Sequence, residues 1–198
     1  MHLVMIHDRE RFGARLAPAI AESFRRRTFQ PLQRLARELS PRLEQVGRRF
    51  HLSAEEQPLL IRCGDMPFDR RVWRHLAGEC LLYAAEETCE FPIVEELLAR
   101  FVPPKFVARL IRGSREITFA GVPYRPHAAG LHDSADLAAI VAELRLFDCL
   151  AWTEAPLADV PPDERTDELA LARQGFDELR RLLESACERD SLIVCEEI

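Results

Sequence analysis

Apolar residues recur at helical spacing through most of this 198-residue chain, and that periodicity constrains its fold more than any other feature. Phe12, Leu16, Ile20 and Phe24 return every fourth residue, which sets them on one stripe of a helix. Pro18 falls inside the stripe and should kink the helix or mark a late start. Leu32, Leu35 and Leu39 keep the spacing as far as Ser40-Pro41, where a break is expected, and Leu43, Val46 and Phe50 resume it. Ser53 and Glu56 make a capping-box pattern ahead of a short helix through Leu59, Leu60 and Ile61, which should end near Gly64. Asp69 suits the N-cap of a longer helix whose inward face carries Val72, Trp73, Leu76, Cys80 and Tyr83.

The second half repeats the pattern. Pro92 fits the first turn of a helix with Ile93, Val94, Leu97, Leu98 and Phe101 on its apolar side. Pro103-Pro104 opens another, which runs to Gly113. Leu137, Ile140, Val141 and Leu144 form a helix capped by Asp133 or Ser134, and Leu169, Phe176, Leu179, Leu183 and Ala186 form a long one from about Asp167. Residues 153–165, rich in Pro, Asp and Glu, read as a surface loop. Strand character is confined to residues 3–6, 116–120 and 191–197, with turns expected at 121–123 and 130–134. The expected fold is therefore α+β. It is a mainly helical single domain over residues 1–198, with a small sheet of short strands that includes both termini, the first and last strands pairing.

Charge is unevenly distributed. Residues 1–50 hold eleven Arg against five Asp or Glu, whereas residues 148–198 hold fourteen acids against five Arg. The whole chain carries a net charge of −6, which argues against a general nucleic-acid binder. Of its 27 basic residues only Lys105 is lysine, and Asn is absent, a bias typical of a GC-rich bacterial genome. The N-terminal apolar run is too short for a signal peptide, and no segment approaches the roughly 20 apolar residues needed to cross a bilayer. A bacterial cytoplasmic location with no membrane partner is expected. The six cysteines are widely spaced and read as buried free thiols.

Residues 69–198 resemble the YfbM-like family, small bacterial domains of unassigned function. The similarity rests on Arg71-Val72-Trp73-Arg74-His75-Leu76-Ala77-Gly78, on Gly121-Val122-Pro123-Tyr124-Arg125 ahead of the helix from Asp136 to Val141, and on the stretches beginning at Phe176 and Leu192. In this chain Arg74 separates the tryptophan from the histidine, and the first 65 residues fall outside the resemblance. It implies an α+β fold and marks Trp73, His75, Glu79, Tyr124 and Arg125 as candidate motif residues.

No nucleophile elbow, phosphate loop or dinucleotide fingerprint occurs among the eight glycines, so neither a catalytic set nor a cofactor is expected. The expected function is protein binding without catalysis, as an immunity-type or regulatory partner of a basic protein. The acids Asp159, Asp163, Glu164, Asp167 and Glu168 would steer that partner. Two alternatives stand beside it. His127, His132 and Asp133 together offer two imidazoles and a carboxylate to a divalent metal, as a hydrolase would need. Arg25, Arg26, Arg27, Arg34, Arg37, Arg48 and Arg49 could follow phosphates while Phe24 and Phe29 stack on bases. Oligomeric state is not legible from these patterns.

Overall fold

Strand β1 (His2–His7) opens the chain and a computed structural model describes residues 2–49, 59–91, 95–124 and 129–197. A short helix α1 (Arg9–Arg11), N-capped by Asp8, widens into a π-helical turn over Phe12–Leu16 and then becomes α2 (Ala17–Arg26). The wide turn answers the problem posed by Pro18. Proline lacks the N–H that an α-helix needs, and its ring crowds the carbonyl four residues back. Here the Ala17 N–H reaches the Phe12 carbonyl, one residue beyond the α pattern, and Pro18 lies in the first turn of the helix that follows.

Helix α3 (Gln30–Arg49) continues through Pro41, where a break was expected. A proline costs a helix about 3 kcal/mol without forbidding it, and the turns on either side carry this one through. Helix α4 (Leu59–Arg62) and a 3-10 turn (Cys63–Asp65) lead to α5 (Arg70–Ala84). Asp69 caps α5 as expected, its carboxylate accepting the N–H groups of Arg71 and Val72. The capping-box pattern of Ser53 and Glu56 and the Pro92 helix start lie outside the described residues.

The second half carries β2 (Glu87–Phe91), α6 (Glu95–Leu98), α7 (Pro104–Arg112), β3 (Arg115–Glu116), β4 (Thr118–Phe119) and β5 (Val122–Pro123). It closes with β6 (Ala129–His132), α8 (Ser134–Leu144), α9 (Arg165–Glu188) and β7 (Leu192–Glu197). β4 and β5 form a hairpin, Phe119 opposite Val122, closed by a two-residue turn in which Ala120 (φ 47°) and Gly121 (φ 82°) both take positive φ.

The remaining strands make one five-stranded sheet in the order β2-β1-β7-β6-β3, so the first and last strands do pair. The chain is thus mainly helical α+β with a small sheet that includes both terminal strands. Two sheet members correct the sequence reading, and β2 (Glu87–Phe91) is the first, lying where no strand was expected. Residues 130–132, expected in a turn, belong to β6, which runs antiparallel to β7 with Gly130 opposite Cys195 and His132 opposite Ile193. Gly130 is there for close packing. A Cβ on it would sit 1.6 Å from the Arg112 carbonyl oxygen at the end of α7.

Contacts gather into two compact units. The first joins Met1–Ile6, Cys89–Arg115 and Ala128–Ile198; the second joins His7–Thr88 and Glu116–His127. No composition break announces either one, because each is assembled from separated stretches of chain. The first unit buries Val4, Ile6, Val107, Leu110, Leu137, Phe176, Leu183 and Ile193 in one cluster. The second buries Ile20, Phe29, Leu32, Leu60, Trp73, Leu76 and Cys80.

Candidate functional site

In the second unit, the residues singled out by the family resemblance divide between core and surface. Trp73 is buried by α5, its indole N–H donating to the Ile20 carbonyl at 3.2 Å. Its ring lies 4.8 Å from Phe24 and 6.2 Å from Tyr124, which is itself buried and meets Phe119 edge-on. Two motif residues far apart in the chain, Trp73 and Tyr124, thus share one aromatic cluster. His75, two positions beyond Trp73 along α5 and on its exposed side, meets Glu79, one turn on, at 2.9 Å. The other oxygen of Glu79 accepts the Leu60 N–H at 3.1 Å, so the carboxylate also fixes the start of α4. Burial raises the Glu79 pKa, partly offset by the backbone N–H groups and by His75. Arg125 lies outside the described residues.

The aromatic pair of the nucleic-acid alternative is also structural. Phe29 is fully buried, and Phe24 packs between Trp73 and Phe68, so stacking on a base is closed to Phe29. Arg25 donates to the Ala120 carbonyl, and Arg26 pairs with Glu22 at 3.0 Å. Arg34 and Arg37 are exposed; the side chains of Arg48 and Arg49 lie outside the described residues.

In the first unit, the residues of the metal alternative are committed to other bonds. His132 is fully buried on β6. Its Nε2 faces the Leu110 carbonyl at 3.4 Å and its Nδ1 faces the Ser114 hydroxyl at 3.1 Å. A carbonyl only accepts, so Nε2 carries the proton and Nδ1 accepts from Ser114. Burial lowers the His132 pKa and keeps the ring neutral. Asp133 caps α8 in a reciprocal capping box with Asp136 and pairs with Arg115 at 3.1 Å. His127 lies outside the described residues, and among those described no three His, Cys, Asp or Glu side chains gather to hold a metal.

Thiol chemistry has no foothold in the buried cysteines. Burial pushes Cys63 up to about 11 and Cys195 up to about 12, and Cys80 well above its ordinary value. All six cysteines are free thiols.

The acidic stretch is divided by the fold. Asp159 is taken up by Arg100 in a two-pronged ion pair. Glu168 is half-buried in the first turn of α9. Asp163, Glu164 and Asp167 stay exposed, and their side chains meet no ion-pair or hydrogen-bond partner among the described residues. The connection after α8 carries exposed apolar side chains that the sequence reading missed. In the connection after α8, Phe147 and Cys149 turn into the core while Leu146 and Leu150 turn outward, each 79% exposed. Arg173 on α9 ties this connection down by donating to the Leu150 and Trp152 carbonyls. Leu171 is exposed on the same helix, one turn after Asp167.

No family model, curated protein or solved structure matches this chain. The functional reading rests on the arrangement itself. Its strongest element is the pair of outward leucines after α8, in the same compact unit as three carboxylates that have no ion-pair partner among the described residues. The run Leu146-Phe147-Asp148-Cys149-Leu150 holds four apolar residues around one acid, so hydropathy alone does not say which of them face outward until the Phe147 ring is seen against Phe106 and Phe176.

Proposed function

We propose that this chain is a non-catalytic protein-binding domain of the bacterial cytoplasm that docks a basic partner, in an immunity-type or regulatory role. Membership of the YfbM-like family over residues 69–198 is part of the same proposal. The observation that carries it is the exposure of Leu146 and Leu150, at 79% each. Scattered surface leucines are ordinary, but three of the four large apolar side chains exposed among the described residues fall on this connection and on α9. A partner that covers them removes apolar surface from water, at about 25 cal/mol per Å².

The exposed carboxylates of the same unit argue for the partner's charge. Asp163, Glu164 and Asp167 meet no cation among the described residues, so a basic rim on the partner reaches them without breaking a described pair. Such exposed pairs chiefly speed and orient association, and salt screens them. Two variants test the reading, a Leu146→Asp/Leu150→Asp double substitution and an Asp163→Lys/Glu164→Lys/Asp167→Lys triple substitution. Both should keep the parent's thermal unfolding midpoint and lose capture of basic proteins from host extract, and the parent's capture should weaken as salt rises. Capture unchanged in both variants and at high salt would contradict the reading.

A further inference from the structure

A second, independent site is built into the second unit where α1 passes into the π-helical turn. A cleft there holds about 50 Å³ of free space and is bounded by His7, Asp8, Arg11, Arg15 and Glu38 around apolar side chains. The apolar part, Phe12, Leu16, Leu35 and Leu39, is buried. The charged side chains divide unequally. Glu38 is engaged by Arg15, and Asp8 accepts the Arg11 backbone N–H at 2.6 Å as the cap of α1. The Arg11 guanidinium has no acceptor among the described residues. Both carboxylates of the cleft thus have work within the fold, and one guanidinium does not.

We propose that this cleft binds a short-chain carboxylate, its two oxygens on the fork of Arg11 and its alkyl end over Phe12 and the leucines. The guanidinium presents parallel N–H donors at the spacing of a carboxylate, which makes the contact specific as well as ionic. At about 10–15 Å³ for each water-sized sphere, the space admits roughly three to five heavy atoms, up to the size of propionate and well short of a nucleotide or a long acyl chain. The apolar walls favour an alkyl tail over a second charge. This proposal makes no use of the leucine patch and stands or falls apart from it.

Propionate titrated into the full-length protein, followed by amide shifts in NMR, tests the proposal. The expected result is saturable shifts at Phe12, Leu16, Leu35 and Leu39, with no saturable shift from propylamine. Arg11→Gln should weaken propionate binding by at least about tenfold, and Arg11→Lys should weaken it less, because the charge remains while the fork is lost. Arg9→Gln, outside the cleft, should leave binding unchanged and shows whether any surface arginine suffices. The proposal is overturned by an absence of saturation up to about 100 mM propionate. Unaltered affinity in a folded Arg11→Gln protein overturns it as well. So does inorganic phosphate binding as tightly as propionate, because the apolar walls would then select nothing.

Discussion

Leu144 and Leu146 are two positions apart and have opposite roles. Leu144 is fully buried at the end of α8, whereas Leu146 is 79% exposed. Truncating the first opens a cavity and should cost about 2–5 kcal/mol in denaturant unfolding. Leu146→Ala should change stability by no more than about 0.5 kcal/mol. A large cost at Leu146 would mean that the side chain supports the fold and is not held out for a partner. His132 makes a second prediction at this scale. Burial lowers its folded-state pKa below the unfolded value near 6.5, so the unfolded chain binds the proton more readily. Stability should therefore fall as pH drops below about 6.5, and it should be regained above that value. His132→Gln should flatten this slope, read from unfolding midpoints between pH 7.5 and pH 5, roughly the range that spans the transition.

At the level of elements, the helical periods and caps were legible and the close approaches were not. The Asp69 cap, the Pro103-Pro104 start of α7 and the Gly113 stop are local signals, set by which backbone donors lack partners or which φ the chain needs. β6 was hidden because glycine in a short polar stretch ordinarily marks a turn. Here its cause lies about twenty residues earlier, in the Arg112 carbonyl crossing the strand. Gly130→Ala should accordingly destabilise by about 3 kcal/mol, since the obstacle is backbone and cannot rotate aside. Gly13 has open space around its Cα, and Gly13→Ala should be tolerated. Equal effects of the two substitutions on the unfolding midpoint would remove the close-approach account of β6.

Over the whole molecule, the charge asymmetry that stands out in the sequence is only partly a surface property. Asp159, Asp177 and Glu184 are neutralised by Arg100, Arg180 and Arg145, and Glu38 of the basic third is neutralised by Arg15. Linear charge counts cannot reveal such pairs, because the partners lie up to 59 residues apart, as Arg100 and Asp159 do. Asp163, Glu164 and Asp167 have no ion pair among the described residues, and they matter for binding because Leu146, Leu150 and Leu171 are exposed in the same unit. The candidate site was thus half legible: the acids from their run in the sequence, the leucines only from the direction in which the fold turns them. The most direct test places a photo-activated crosslinking residue at position 150 in living cells, with Arg9 in the second unit as the comparison position. The account predicts a discrete adduct with a basic protein at position 150, suppressed by lysines at 163, 164 and 167. No adduct at position 150 above the level at position 9 would contradict it.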